Sequence, residues 1–326
     1  MKAMIFAAGE GQRLRPVTDK IPKALVPVAG RPMIEYPLLW LRHNGIREVV
    51  INLHHMGEQI EAHLNDGAKF GLKITYSKEQ ELLDTGGGLL KAKPFLQDGT
   101  FIVVNTDVLI DLPLADLIDF HRAKNATATL VLRPDPLADQ YGSMDIDSEG
   151  RICRFLKAKH PAAPAGPYTK LMFTGVQMLE PKIFDYMATE AGSAKFGTTK
   201  DTYPKMLVAG EALYGFRFDG FWQDVGTAER IKQVEKEHSA SLPLARGPST
   251  RAPALAGGSC SGFRPTGLAV GLHRRMFPTL RPRSRRRPPG RRRCRWGRSY
   301  SRPLRRESPE RCRRCRKRRS ARRPLK

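Results

Sequence analysis

Over the first 135 residues, short apolar runs alternate with stretches of helical spacing. Strands are predicted at 2–7, 48–53, 73–76, 100–104 and 128–132, where the short apolar runs fall. Between them, 33–43, 58–64, 87–91 and 114–123 read as helices. In the last of these, Leu114, Leu117, Ile118 and His121 share one face, with Pro113 near the start. Strands joined by helical crossovers predict an α/β fold: a Rossmann-like, mainly parallel mixed sheet flanked by helices. Ligands are expected outside the carboxyl ends of its strands.

Past residue 135 the pattern loosens. Residues 144–146 and 152–155 predict a hairpin around Ser148-Glu149-Gly150, and the Pro/Ala stretch 160–167 reads as flexible. A strand at 171–179, a helix from Pro181, a helix at 202–208, a strand at 214–218 and a last helix at 228–237 follow. Periodicity stops near Ser239.

Composition divides the chain at the same place. The formal charge of +25 is not spread out: 28 of the 57 Lys and Arg lie beyond residue 240, with only 2 of the 32 acids. Residues 1–240 are therefore nearly neutral and form the expected globular domain. Residues 241–326 hold 26 Arg and 2 Lys among Pro, Gly, Ser and Ala. Such a segment buries too little apolar surface to offset chain entropy, and a disordered tail is expected. Its composition is also that of a GC-rich gene translated out of frame, which sequencing the locus for an indel near codon 240 would test. Cys153 stands alone in the first part, so a reducing compartment is expected. The short apolar start runs directly into Gly9-Glu10-Gly11. With no signal-peptide pattern and no apolar run of the ~20 residues that a membrane span needs, a cytoplasmic setting is expected.

The first candidate chemistry follows the first strand, in Ala7-Ala8-Gly9-Glu10-Gly11-Gln12-Arg13-Leu14-Arg15-Pro16. A dinucleotide fingerprint would need a third glycine, and Arg15-Pro16 opposes an immediate helix. A Walker A loop is absent. What remains is a turn that exposes backbone N–H groups, followed by cations on a proline-stiffened loop. Arg13 can fork two phosphate oxygens, and Lys23, between Pro22 and Ala24, supplies a point charge. The alternative is an ordinary βα loop with solvated cations.

This stretch resembles the signature of the sugar-1-phosphate nucleotidyltransferases (NDP-sugar pyrophosphorylases), G-x-G-x-R-[LM]-x-P-x-T followed by P-K-[AP]-x-x-P. Here it reads Gly9-x-Gly11-x-Arg13-Leu14-x-Pro16-x-Thr18, then Pro22-Lys23-Ala24-x-x-Pro27. The resemblance implies the nucleotide-diphospho-sugar transferase fold, with Ala8, Gly9 and Gly11 in a loop around the triphosphate. It also implies that Arg13 steadies the departing pyrophosphate and that Lys23 offsets charge at the reacting phosphates.

Further along, Asp107 closes the run Phe101-Ile-Val-Val-Asn-Thr-Asp107, where an acid at a strand's carboxyl end suits a magnesium ligand or a turn. Asp224, in Trp222-Gln223-Asp224-Val225-Gly226-Thr227, resembles the family's W-x-D-x-G-T, whose aspartate joins the first in holding Mg²⁺. Thr106 stands where the family usually has glycine, and Asn105 beside it is expected on the nucleotide. Leu83-Asp84-Thr85-Gly86-Gly87-Gly88 resembles the segment that contacts base and ribose, so Thr85, Gly87 and Gly88 are assigned there. Its form looks most like the compact N-acetylmuramate-1-phosphate uridylyltransferase and mannose-1-phosphate guanylyltransferase-like members. For the sugar phosphate, the resemblance points to Tyr141-Gly142, to Thr174-Gly175, and to Lys157 in an E-K-P-like position. There Leu156 replaces the glutamate and Ala158 the proline. Cys312-x-x-Cys315 lacks a second metal-type pair, and His54-His55 lacks a third ligand; neither reads as a metal site.

The expected reaction joins an NTP, UTP or GTP, to a hexose or N-acetylated sugar 1-phosphate, releasing pyrophosphate with Mg²⁺ as cofactor. No membrane and no specific nucleic acid is expected as partner, and the chain is expected to be a monomer or small homo-oligomer. Two alternatives stand beside this reading. One is polyanion binding through the tail, which predicts no binding by residues 1–240 alone. The other is a non-catalytic sensor on the same fold, which the joint presence of Arg13, Lys23, Asp107 and Asp224 disfavours.

Overall fold

A computed structural model describes residues 1–136, 138, 142–187 and 194–238. The Arg-rich tail and Tyr141 fall outside the described residues, as do Cys312 and Cys315.

The central sheet is built on β1 (Lys2–Phe6), β4 (Glu48–Leu53), β5 (Lys73–Lys78) and β6 (Phe101–Asn105), which run parallel in the order β5-β4-β1-β6. Beyond β6 lies β12 (Thr169–Leu179), antiparallel to it. Then come β8 (Ala128–Arg133), antiparallel to β12, and β13 (Leu213–Arg217), parallel to β8. The sheet is mixed and mainly parallel, as expected. The first half of β12 extends it through β9 (Met144–Ile146), β10 (Ile152–Phe155) and β11 (Ala158–Lys159), and β9 and β10 form the expected hairpin.

The apolar runs are continuous because the strands bury both faces. Alternate residues serve opposite cores. Ala3, Ile5, Ile102 and Val104 pack with α1 (Glu35–His43), α2 (Gly57–Leu64) and α5 (Leu114–Ala123) on one side. Met4, Phe101 and Val103 pack with α3 (Asp84–Lys91), α4 (Lys93–Leu96) and the helix Tyr203–Val208 on the other.

Several boundaries differ from the expectation. The helix placed at 87–91 begins at Asp84, so the three glycines form its first turn rather than a loop before it. The segment from Pro181 is a 3-10 turn, Pro181–Tyr186, and a π-helical turn, Thr198–Thr202, precedes the helix Tyr203–Val208. The stretch 160–167 is a set of bonded turns: Ala163 N–H donates to His160 O (3.0 Å), and the Tyr168 hydroxyl donates to Pro164 O.

Strand order reverses between β1 and β6, and this switch point is where ligands are expected. Two small ladders frame it: β2 (Pro27–Val28) with β3 (Arg31–Pro32), and β7 (Val108–Ile110) with β14 (Trp222–Asp224). A third apolar cluster lies behind them. Leu14, Val26, Val28, Met33, Leu109 and Val225 pack on Ile231 and Val234 of the last described helix, Ala228–His238. The glycine loop is thus pinned to a core of its own.

Candidate active site

Each functional group is set by a local reason. The loop after β1 folds as three short 3-10 turns, Gln12–Leu14, Val17–Asp19 and Lys23–Leu25. Gly11 is required twice over. Its φ is +69°, and a Cβ there would lie 2.8 Å from Thr18 Cγ2 and 2.9 Å from Lys23 Cβ. The Thr18 hydroxyl donates to Gly11 O (2.9 Å), closing the loop so that the Lys23 stem passes beside the glycine. Gly9, by contrast, has open space where a side chain would stand.

Lys23 Nζ donates to Asp107 Oδ2 at 2.5 Å, with both side chains largely buried. Arg13 Nη2 lies 3.9 Å from the same oxygen, on a mostly exposed side chain. Asp107 lies two residues past the end of β6. Its neighbour Thr106 turns inward, donating its hydroxyl to Phe6 O at 2.5 Å, and so ties the ends of β1 and β6 together. The departure from glycine thus spends its hydroxyl on a backbone carbonyl, and the residue, 4% exposed, lies in the wall of a cleft.

The second acid arrives through the small ladder. Asp224 pairs with Val108, and Val225 N–H donates to Asp107 O (2.9 Å). Asp224 Oδ1 accepts Gly226 N–H (2.7 Å), and Oδ2 accepts from Arg230. A Cβ on Gly226 would lie 2.7 Å from Arg13 Nη2, 2.8 Å from Asp107 Oδ2 and 2.9 Å from Asp224 Oδ1. Three loop and strand segments thus bring two carboxylates and a guanidinium to one point. Among the described residues no group of three or more His, Cys, Asp or Glu could hold a metal. Two carboxylates with hard oxygen donors nonetheless suit Mg²⁺, which commonly completes its shell with water and substrate phosphates.

Two clefts of about 430 Å³ each meet here, sharing Phe6, Thr85, Asn105 and Asp107. One runs along Ala8, Gly9, Lys23 and Asn52 to Asp84. The other runs along Arg13, Gly142, Thr174, Lys200, Asp224 and Arg230. Asp107 stands in the wall between them.

The remaining expected residues fall as follows. Gly87 and Gly88 are buried: a Cβ on Gly87 would meet Ala194 O at 2.1 Å, and one on Gly88 would meet Glu79 Oε1 at 2.7 Å. Phe196 O accepts the amides of Gly86 (2.8 Å) and Gly87 (3.2 Å). Gly86 and Gly87 make room for the 194–198 segment and Gly88 for Glu79 and Asn52; none of the three lines either cleft, while Thr85 borders both and accepts Thr198 N–H (3.0 Å). Gly142, with φ +85°, faces Leu156 and Phe155, each 3.9 Å from the position of a Cβ. Thr174 is buried beside a bulge in β12 where the register against β8 shifts, and Gly175 follows at φ +85°. The Thr174 hydroxyl donates to Val131 O (2.8 Å), and its carbonyl accepts Trp222 Nε1–H (2.9 Å).

Lys157 is exposed at the tip between β10 and β11 and is not among the residues lining the cleft, whereas its neighbours Phe155 and Leu156 are. Lys200 and Arg230 in this cleft, and Lys195 in the other, are lining cations that the sequence did not single out. Arg230 had only its place in the first turn of a helix to mark it, and Lys200 lies on a π turn with no recognisable period.

A cation-bearing loop and hard carboxylates at a strand switch point suit chemistry on a polyphosphate, which is the business of nucleotide-dependent transferases. The chain belongs to the nucleotidyl transferase family, whose profile matches residues 2–241. It is 35% identical over 239 residues to the UTP--glucose-1-phosphate uridylyltransferase of Synechocystis, covering 69% of this chain and 60% of that one. It is 36% identical over 243 residues to the N-acetylmuramate alpha-1-phosphate uridylyltransferase of Neisseria meningitidis, covering 72% and 97%. The mannose-1-phosphate guanylyltransferase of Mycobacterium tuberculosis is 32% identical over 230 residues, covering 70% and 61%. The chain therefore spans about three fifths of two of these relatives and nearly all of the third. A crystal structure of a candidate glucose-1-phosphate thymidylyltransferase from Bacillus anthracis, bound to sucrose, shares the fold. Its TM-score is 0.63 at 22% identity, over 77% of this chain and 98% of that one. Among the described residues no helix is long and apolar enough to cross a membrane.

Proposed function

We propose that this chain joins an NTP to a sugar 1-phosphate, giving an NDP-sugar and pyrophosphate. The observation that carries the reading is Asp107, in the wall shared by two clefts, with Lys23 on one side and Arg13 and Asp224 on the other. One cleft takes the triphosphate along Ala8 and Gly9, in the loop that Gly11 shapes, with Asn105 and Thr85 toward the ribose and the buried Gly87 and Gly88 setting the backbone of that helix start. The other takes the sugar phosphate along Gly142 and Thr174. Its cations come from Lys200 and Arg230, with Lys157 at the rim.

The nucleophile is a sugar-phosphate oxygen, already ionised at neutral pH, so no general base is needed. It bonds to the α-phosphorus while the bond to the β-phosphate bridging oxygen breaks, and pyrophosphate leaves with the electron pair. Arg13 and Lys23 balance the charge that spreads over the phosphates, and the rigid loop holds the reactants in line. Asp107 and Asp224 would hold Mg²⁺, which supplies Lewis-acid neutralisation of phosphate charge. UTP and GTP are the expected nucleotides, and a hexose or N-acetylated sugar 1-phosphate the expected acceptor. The names of the Synechocystis, Neisseria and Mycobacterium relatives support this range. A cytoplasmic setting fits Cys153, which is free and buried.

The test is pyrophosphate release by the full chain, screened over NTP and sugar-1-phosphate pairs with and without Mg²⁺. Release above background for at least one pair, abolished by chelation, is expected. No release from any pair would overturn the reading.

A further inference from the structure

From the wall of the nucleotide-side cleft, at Asn52, a polar connection runs inward that the proposed chemistry does not use. Asn52, next to last in β4, is paired with Phe6 of β1 and Ser77 of β5 and is only 3% exposed. Its Oδ1 accepts the N–H of Ala7, the root of the glycine loop, at 2.9 Å. Its Nδ2 donates to Glu79 Oε1 at 2.7 Å, and Glu79, 6% exposed, follows β5. The other carboxyl oxygen of Glu79 accepts the N–H of Leu83, the residue before α3, at 3.0 Å. Donor meets acceptor at each step along this line. Gly88 lies against the middle of it, since a Cβ there would stand 2.7 Å from Glu79 Oε1 and 2.8 Å from Asn52 Nδ2.

We propose that Asn52 and Glu79 are positioning residues: a buried strut that fixes the spacing between the loop proposed to wrap the triphosphate and the helix start proposed to face base and ribose. This rests on the nucleotidyltransferase reading above. Sheet pairing alone sets β1 beside β4 and β4 beside β5, but it does not fix Ala7 relative to Leu83, since both lie beyond the strand ends. The two side chains do. Their effect should fall on NTP binding, because Ala7 and Asp84, the residue after Leu83, line the nucleotide-side cleft and not the sugar-phosphate one. A buried carboxylate held by an amide and a backbone N–H is a costly way to fill space, and a pair of apolar residues would fill it at less cost.

The strut's directionality supplies a test. Glu79→Gln turns one acceptor into a donor, which must then face either Asn52 Nδ2 or Leu83 N–H. Asn52→Asp sets a second carboxylate against Glu79. The double change N52D/E79Q restores the whole pattern at unchanged net charge. The new carboxylate at position 52 accepts from Ala7 N–H and from the new amide at position 79, whose oxygen accepts Leu83 N–H. Each single variant is expected to raise the NTP KM by about tenfold or more, the effect of leaving a buried group unmatched. The KM for sugar 1-phosphate and kcat at saturating NTP should stay within about twofold. The double variant should return the NTP KM to within about threefold of the parent.

Pyrophosphate release is measured alongside equilibrium binding of a fluorescent NTP analogue, and Tm is recorded for each variant. If the single variants lose Tm but keep the parent's NTP KM, the pair is merely structural and the proposal falls. It falls equally if both KM values rise together, or if the double variant is no better than the singles. If the parent itself neither turns over nor binds NTP, the functional reading has failed first and takes the strut's role with it.

Discussion

Replacing Gly226 with alanine adds one methyl group at the point where the charged side chains meet. The added carbon would lie 2.7 Å from Arg13 Nη2, 2.8 Å from Asp107 Oδ2 and 2.9 Å from Asp224 Oδ1. Ordinary van der Waals contact begins near ~3.5 Å, so each group must retreat by more than half an ångström. All three are ends of side chains, and Gly226 has no left-handed φ to forbid alanine. The fold should therefore survive, with Tm within a few degrees of the parent. The cluster should open. A displacement approaching 1 Å in groups that position reactants costs on the order of 10²-fold in rate. We expect pyrophosphate release at least about 100-fold slower, together with a higher Mg²⁺ concentration for half-maximal rate. The assay is steady-state pyrophosphate release over a Mg²⁺ titration, with Tm as the control for folding. A Gly226→Ala chain with parental turnover and parental Mg²⁺ response would refute the convergence of these groups on the reacting phosphates.

Lys23→Ala and Asp107→Ala should each lower kcat by two or more orders of magnitude while leaving the chain folded, checked by circular dichroism and pyrophosphate release. Near-normal release by either would remove that residue from the mechanism. Gly87→Ala should act on stability, because its methyl meets a backbone carbonyl at 2.1 Å that cannot swing away. A loss of about 1–3 kcal/mol in urea unfolding is expected. His121, buried between the Thr129 hydroxyl (2.8 Å) and Glu180 (3.1 Å), has its pKa held below the usual 6.5 by burial, which outweighs its bond to Glu180. The unfolded chain therefore takes up a proton that the native chain refuses once pH drops below about 6.5. This contribution is intact above that pH and is lost on acidification, at up to about 1.4 kcal/mol per pH unit. Urea midpoints at pH 5 and 7.5 should converge for His121→Gln relative to the parent, and equal losses in both proteins would exclude the histidine as the cause.

Much of the architecture was legible along the chain because both faces of β1, β4, β6 and β8 are buried. Burial on two faces forces continuous apolar runs, and those runs are local in sequence. The glycine loop was legible for a similar reason. Gly11 must adopt a left-handed φ and leave space for Thr18 and Lys23, which restricts residue type at fixed spacing. Asp107 could be placed because a strand end is visible. The three glycines at 86–88 were visible too, but their cause was not. They yield to Phe196, Ala194 and Glu79, which no spacing connects to them. Lys157 suited the sugar phosphate by motif, but the turn between β10 and β11 points it outside the cleft lining.

By itself, then, the sequence determined which segments are strands, where the phosphate-facing turn lies, and which acids and cations stand at element ends. Only the tertiary structure decided what meets what. The β7–β14 ladder brings Asp224 to Asp107, the reversal of strand order at β1 opens the cleft beside them, and Asn52 reaches Glu79 across two strands. The physical reason is the range of each constraint. Burial and backbone conformation act on neighbouring residues and leave a periodic trace. Ladder register and side-chain reach join residues distant in sequence, and their pairing is fixed only when the whole sheet closes.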